Sequence, residues 1–138
     1  MGDEAETIFE QVWSEPFVRC GHSRPPFSIQ KLPIVERYRP DYLTPTAYVE
    51  VQGTGRDQVL KMKLEKYTVL RNWDLLLPVV VFVWDTHKKR WCSVPLATVT
   101  SLIDNGAAGV GYFPEKKAYF GVPVAALPPD GWQKAPLA

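Results

Sequence analysis

Two carboxylates near the middle of the chain have the spacing of a metal site. Asp41 follows a proline in a predicted turn, and Glu50 lies in a predicted strand with Gln52 two residues further on. Alternate residues of a strand point to the same side, so Glu50 and Gln52 share one face, and a hairpin would bring Asp41 beside Glu50. Two converging carboxylates suit a hard divalent cation that takes its other ligands from water. Such a cation activates water and stabilises charge on a phosphate.

Each acid also has an ordinary structural interpretation. An Asp after Pro is common in turns, where its side chain accepts hydrogen bonds from the backbone. Glu50 is harder to explain in this way, because it lies among Tyr48, Val49 and Val51. A carboxylate on an interior strand needs a partner or a metal. The two acids together therefore favour a site that performs chemistry on phosphates.

The elements around this pair predict a mixed α/β sheet. Hydrophobic periodicity and turn residues predict a helix over 4–14, strands over 34–38 and 47–52, and a long helix from Asp57 to about Trp73. They further predict a central strand over 75–84, an edge strand over 91–94, a short helix over 96–103, and a hairpin of 110–113 with 118–122. A strand, a helix and a strand in succession predict a crossover connection within one sheet.

The chain resembles the PD-(D/E)XK nuclease superfamily, which has the restriction-endonuclease-like fold. The resemblance runs through residues 38–42 (YRPDY), 48–53 (YVEVQG), the following helix and 78–81 (PVVV), about half of the chain. It implies a mixed central sheet flanked by helices, here with a C-terminal hairpin. It also implies hydrolysis of phosphodiester bonds with Mg²⁺ or Mn²⁺, held by Asp41 and Glu50. In this family a lysine normally occupies the position of Gln52.

Gln52 departs from the family pattern, because an amide carries no positive charge. Some members of the family keep a glutamine here or take a lysine from the following helix. Lys63 and Lys66 both fall on the apolar arc of the predicted helix. A lysine on such an arc either extends to solvent at its edge or points at an anionic pocket. We expect Lys63 to join the catalytic residues Asp41, Glu50 and Gln52, since it is nearer the start of the helix.

Many members of the family add an acid from the first helix. Glu10 is the nearest match, although it lies opposite the apolar arc, and Glu6 and Glu15 are alternatives.

Basic residues near the proposed site predict contacts with nucleic acid. Arg56, Lys61 and Lys66 are candidates for binding phosphates, although a solvated helix face would also have this composition. The loop Gly53–Arg56 lacks the Gly-Lys-Ser/Thr ending of a phosphate-binding loop. The spacing of the cysteines and histidines does not match common zinc sites: Cys20, His22, His87, Cys92. We therefore interpret the two thiols as buried or idle.

Length and composition indicate one domain with a modest charge. The 138 residues are 46% hydrophobic and carry a net charge of +1, so bulk charge does not indicate nucleic-acid binding. We predict a single domain over 1–127 and a loose, proline-rich tail over 128–138. The acidic N-terminus lacks the basic region of a secretory signal. The longest apolar run has ten residues and contains Pro78, whereas a membrane span needs about 20. We expect a cytoplasmic protein without a membrane partner.

These observations and the resemblance predict a Mg²⁺- or Mn²⁺-dependent DNA endonuclease. The DNA would be duplex or branched, as for junction resolvases, and a chain this small would cut both strands most simply as a homodimer. The small members of the family often serve in phage biology, recombination or defence. One alternative is a catalytically inert nuclease fold that binds nucleic acid or assembles with proteins. Another is a small protein-interaction domain that uses the hairpin and the tail as its contact surface.

Overall fold

The computed structural model describes residues 2–22 and 31–136. Part of the irregular connection predicted over residues 19–33 therefore lies outside the described residues. The described helices and strands follow the chain in this order: α1 (Gly2–Val12), β1 (Val18–Arg19), α2 (Ile34–Arg37), β2 (Tyr42–Leu43), β3 (Tyr48–Thr54), β4 (Val59–Lys63), α3 (Leu64–Trp73), β5 (Val79–Asp85), β6 (Arg90–Pro95), α4 (Leu96–Asp104), β7 (Gly109–Tyr112), β8 (Ala118–Pro123) and β9 (Gln133–Lys134).

A six-stranded mixed sheet forms the centre of the fold, in the order β1-β2-β3-β5-β6-β9. β3 and β5 are parallel, and the other neighbouring strands are antiparallel. β5 is almost wholly buried along its length, which explains why its sequence is a continuous apolar run rather than an alternating one. The chain passes from β3 to its parallel neighbour through β4 and α3, so the predicted crossover is present.

Two hydrophobic clusters lie on opposite faces of this sheet, and alternate residues of β5 divide between them. Phe82 and Trp84 pack with α1, whereas Val81 and Val83 pack with α3, α4 and the second sheet. β3 divides in the same way, because Val49 and Val51 belong to the α1 side. The intervening residues of β3, among them Glu50, therefore face α3.

The second sheet has three strands in the order β4-β8-β7. β7 and β8 form an antiparallel hairpin, as the sequence predicted, and β4 pairs with the other side of β8. Leu60 and Met62 of β4 are completely buried in the core. The predicted fold class, a mixed central sheet flanked by helices with a C-terminal hairpin, is confirmed.

The predicted helix over 57–73 is wrong in its first half. Residues 59–63 form β4, in which Leu60 and Met62 face the core. Lys61 and Lys63 alternate with them and face the other side. Asp57 does not cap a helix: its carboxylate accepts a hydrogen bond from the amide of Val59 and pairs with Lys61 at 2.9 Å. The helical periodicity that predicted one long helix ignored pairing with β8, which lies about 60 residues away in the sequence.

Three other local predictions also differ from the structure. Residues 34–37 form the short helix α2 instead of a strand, with the amide of Arg37 donating to the carbonyl of Pro33. β6 is not an edge strand at its start, because Arg90 and Trp91 pair with β9. The tail predicted to be loose contains β9, and Trp132 packs against the larger core. No helix in the described ranges is long and apolar enough to cross a membrane.

Candidate active site

The turn before β2 and the middle of β3 bring Asp41 and Glu50 together. Tyr42 pairs with Val49 in the antiparallel register of β2 and β3, so the residues one step outward, Asp41 and Glu50, lie next to each other. The carboxylate of Asp41 (Oδ2) accepts a hydrogen bond of 2.8 Å from the amide of Val51. The side chain of Glu50 is only 2% exposed. The predicted juxtaposition of the two acids is present.

Glu50 has two side-chain partners, and both contact the same oxygen. The ammonium of Lys66 lies 2.7 Å from Glu50 Oε2, and the Gln52 amide donates to that oxygen at 3.1 Å. Gln52 therefore lies on the same face of β3 as Glu50, as the alternation of the strand predicted. A positive charge is present at the acidic pair, although it comes from α3 instead of from position 52.

Helical spacing explains why Lys66 reaches the sheet. Residues four and seven positions after Lys66 are Leu70 and Trp73, on the same helix face. Leu70 belongs to the core cluster that includes residues of β5, and Trp73 packs against that cluster. Lys66 is the first residue of this face, at the N-terminal end of α3, where its side chain is 27% exposed. The sequence contained this signal, but the incorrect helix start led us to prefer Lys63.

The structure places the other basic candidates away from the acidic pair. Lys63 ends β4 and extends over the ring of Phe113, 5.8 Å from its centroid. Lys61 lies on the same side of β4 and over the ring of Tyr119. Arg56 is exposed in the turn after β3, beside a cavity of about 360 Å³ that Lys61 and Phe113 also line. Of the four basic candidates, Lys66 is the one that contacts Glu50.

The pKa values at the acidic pair reflect two carboxyl groups that are buried at close range. Burial and the neighbouring charge of Glu50 raise the pKa of Asp41 to about 8. Burial alone would lower the pKa of Lys66, but the carboxylates of Glu50 and Asp41 outweigh it and raise that pKa above its usual value. Lys66 therefore stays protonated near neutral pH. Its ammonium contacts Glu50, and Asp41 has no ion-pair partner among the described contacts.

The acids of α1 and its C-terminal connection form separate contacts. Glu6 pairs with Arg19 at 3.0 Å, and Glu10 accepts a hydrogen bond of 2.5 Å from the hydroxyl of Tyr42. Glu15 lies further away and accepts a hydrogen bond from the hydroxyl of Thr46. The charge of Glu6 makes a small contribution to the raised pKa of Asp41, after burial and the charge of Glu50. A role for any of the three acids in the site stays a prediction.

The donor atoms of the pair fit a hard divalent cation. Among the described contacts, Asp41 Oδ1 and Glu50 Oε1 accept no hydrogen bond, whereas the other oxygen of each carboxylate is occupied. Two such oxygens are suitable first ligands for Mg²⁺ or Mn²⁺, with water and substrate oxygens completing the coordination. No group of three or more His, Cys, Asp or Glu side chains gathers anywhere in residues 2–22 and 31–136. The described cysteines and histidines accordingly form no zinc cluster.

Comparison with known proteins gives one structural likeness. No protein-family model matches the sequence, and no curated protein is similar to it. The fold is similar to that of D212, a nuclease from a fusselovirus, with a TM-score of 0.52 and 9% sequence identity. The likeness covers 96% of this chain and 78% of the viral protein. At this identity the comparison establishes a shared fold.

Proposed function

We propose that the protein is a divalent-metal-dependent endonuclease of the PD-(D/E)XK type, with DNA as its substrate. The observation that carries this proposal is the contact between Lys66 and Glu50. It returns a lysine ammonium to an acidic pair whose own strand has Gln52 in place of the lysine. The shared fold with a viral nuclease supports the same conclusion.

In this proposal each side chain of the pair has a separate task. Asp41 and Glu50 would hold Mg²⁺ or Mn²⁺, since each carboxylate has an oxygen that accepts no hydrogen bond among the described contacts. When bound, the cation lowers the pKa of a coordinated water and offsets charge on the scissile phosphate. Lys66 directs one of its three N–H groups at Glu50, and the others are available to a phosphate oxygen. Gln52 holds the Glu50 carboxylate in position by its hydrogen bond to Oε2.

Cleavage of several DNA forms tests the proposal. Supercoiled plasmid, single-stranded DNA and a four-way junction are incubated with Mg²⁺, with Mn²⁺ or with EDTA. We expect metal-dependent cutting by the wild type, none by Glu50→Ala, and unchanged cutting by Asp104→Ala, which removes an exposed acid at the end of α4. Calorimetry with Mn²⁺ checks metal binding by the same three proteins.

The test also separates this function from the inert alternative. If neither wild type nor Glu50→Ala cuts any DNA or binds Mn²⁺, the nuclease proposal fails and a non-catalytic nuclease fold takes its place. A homodimer would supply two acidic pairs for the two strands of a duplex. Light scattering with and without DNA measures that part of the proposal separately.

A further inference from the structure

The outward face of the three-stranded sheet has a chemistry different from the rest of the surface. β4 alternates strictly, so Leu60 and Met62 are buried while Lys61 and Lys63 project to the other side. In the register with β8, Lys63 pairs with Tyr119, which is half-buried on the same outward face. The sheet therefore presents two lysines and an aromatic ring on one side.

Because glycines occupy several outward positions, few side chains project from this face of the sheet. Gly109 and Gly111 of β7 lie opposite Gly121 and Tyr119 of β8, so the outward positions of these two strands are three glycines, one tyrosine and Pro123 at the end of β8. A Cβ atom at Gly111 would lie 2.6 Å from the Tyr119 ring, whereas one at Gly109 would have no neighbour within 4 Å. The Tyr119 ring thus lies over Gly111, next to an open area of backbone.

A second ring and further basic residues border this area. The rings of Phe113 and Tyr119 are in contact, with centroids 4.6 Å apart. Lys61 lies 5.6 Å from the centroid of Tyr119, and Lys63 lies 5.8 Å from that of Phe113. The remaining bases are in the adjacent turns: Arg56, Lys116 and Lys117.

Two of the three acids near this surface are ion-paired, and the third, Glu115, lies beside Lys116 in the 113–117 turn, so the bases of the surface still outnumber its acids. Asp57 pairs with Lys61, and Glu65 lies 3.8 Å from Lys117. Within the described part of the chain, Arg56, Lys63 and Lys116 take part in no ion pair. A half-buried surface with two adjacent rings and bases outside any ion pair is complementary to an anion that carries flat groups.

We propose that this face, which we call the aromatic-lysine face (Lys61, Lys63, Phe113 and Tyr119), binds unpaired nucleotides of the DNA substrate. Aromatic rings bind nucleotides by stacking on bases, and a base in a duplex is not free to stack on them. The lysines attract the phosphates that link those bases. The inference rests on the proposed function, since it assigns to the same centre a substrate with a single-stranded segment.

The position of the face relative to the acidic pair supports this assignment. β4 ends at Lys63, and α3 delivers Lys66 to Glu50 three residues later. A cavity of about 300 Å³ lies beside this junction, lined by Lys63, Leu64, Glu65, Lys116, Lys117 and Ala118. The last lysine of the aromatic-lysine face and the lysine that contacts Glu50 are therefore three residues apart in the chain.

Fluorescence anisotropy in EDTA tests the inference, because binding is measured without cleavage. The probes are a fluorescein-labelled oligothymidylate of about 12 nucleotides, within the range of single-strand sites, and a duplex of the same length. At about 50 mM salt we expect the wild type to bind the single strand at least about fivefold more tightly than the duplex. We expect Lys61→Glu/Lys63→Glu to weaken single-strand binding by about tenfold or more.

Two further variants separate stacking and local charge from loss of fold. Phe113→Leu keeps an apolar side chain but removes the ring, and we expect it to weaken single-strand binding by about fivefold or more. Lys88→Glu/Lys134→Glu makes the same change in net charge beside a different cavity, next to Trp84, and we expect less than about a twofold effect. Equal binding of duplex and single strand, no effect of Phe113→Leu, or an equal loss in the control pair would overturn the inference.

The failure of this inference differs from the failure of the proposed function. Wild type that binds the single strand through this face but cuts no DNA keeps the inference and removes the nuclease proposal. If the wild type cuts DNA in a Glu50-dependent way but Phe113→Leu does not change single-strand binding, the inference fails and the nuclease proposal stands.

Discussion

Two carboxylates are buried in the central sheet, and their surroundings differ. Asp85 lies at the end of β5. One of its carboxylate oxygens accepts three hydrogen bonds, from the side chain of Gln58 and from the backbone amides of His87 and Lys88. Its other oxygen accepts a hydrogen bond of 2.9 Å from Arg90. Glu50 has its partners on one oxygen only, and Asp41 beside it likewise has one occupied oxygen.

This difference separates a carboxylate that holds the fold from a pair that is available to a ligand. Asp85 fixes the turn between β5 and β6 and has both oxygens satisfied, so its burial needs no other partner. Glu50 and Asp41 place two carboxyl groups side by side with one nearby ammonium, and burial together with the charge of Glu50 raises the pKa of Asp41 to about 8. Leaving that arrangement incomplete costs stability, which is expected where a protein retains groups for binding or catalysis.

Among substitutions outside the proposed metal ligands, Lys66→Met is expected to have the largest effect on cleavage. Lys66→Met removes the ammonium that contacts Glu50 and the positive charge proposed for the phosphate. We expect kcat for DNA cleavage to fall by about 10²- to 10³-fold, as when one preorganised electrostatic group is lost from an active site. The measurement is single-turnover cleavage with saturating Mg²⁺.

Two other variants make this prediction specific. Arg71→Met removes an exposed base from the same helix, and its kcat is expected to stay within about twofold of the wild type. Lys63→Met is expected to raise KM without lowering kcat, because Lys63 lies on the aromatic-lysine face instead of at the acidic pair. Unchanged kcat in Lys66→Met, or an equal fall in Lys63→Met, would contradict the assignment of Lys66.

The next effect is on stability at Asp85. Asp85→Asn removes the charge that pairs with Arg90 and weakens the hydrogen bonds that hold the turn. We expect the free energy of unfolding to fall by on the order of 3 kcal/mol, since breaking a buried ion pair leaves its partner uncompensated. Urea unfolding followed by tryptophan fluorescence measures this loss. A change near zero would show that Asp85 does not hold the turn.

A smaller effect is the pH dependence of that loss. Burial alone would raise the pKa of Asp85, but hydrogen bonds from Gln58, Arg90 and Lys88 outweigh it and lower the pKa below its usual 3.8. The folded state therefore binds this proton more weakly than the unfolded state does. The stabilisation is complete above the unfolded pKa and is lost as pH falls through the folded pKa.

Comparison of two proteins isolates the contribution of Asp85 from those of other acids. We expect the difference in unfolding free energy between wild type and Asp85→Asn to be constant from neutral pH down to about pH 5 and to shrink below about pH 4. Urea unfolding at a series of pH values measures it. A difference that grows as pH falls would contradict the direction of the pKa shift.

The smallest effect on the free energy of unfolding is at Asp41, and its sign is opposite. Asp41→Asn keeps an oxygen for the amide of Val51 and removes a carboxyl whose ionisation beside Glu50 is unfavourable, as its raised pKa indicates. In EDTA we expect the free energy of unfolding to stay unchanged or rise by up to about 1 kcal/mol. Metal-dependent cleavage is expected to disappear in the same variant. A loss of stability as large as that of Asp85→Asn would remove the distinction between the two regions.

The sequence predicted those parts of the molecule whose signals are local. The buried run of β5 and the β7–β8 hairpin follow from short-range patterns, and the pairing of Asp41 with Glu50 follows from a hairpin of neighbouring strands. β4 was missed because its partner β8 is remote in sequence and its five residues also fit a helical period. The role of Asp85 could not be predicted from the sequence, since its four hydrogen-bond donors meet it only after folding.

Lys66 shows how one missed element changes a site. Both Lys63 and Lys66 were on the predicted apolar arc, and choosing between them required the boundary between strand and helix. Once residues 59–63 are a strand, alternation sends Lys63 outward and helical spacing sends Lys66 inward. That boundary was set by tertiary pairing, which overrides local propensity.

The join between β4 and α3 also limits how the chain can change in length. Lys63 is the last residue of the strand and Leu64 the first of the helix, with no loop between them. One inserted residue at this join would turn the helix by about 100° relative to the sheet and carry Lys66 away from Glu50. In related chains we expect insertions and deletions to be excluded between residues 60 and 70. They should instead gather in the turns at 86–89 and 113–117, where added residues displace neither the acids nor the lysine.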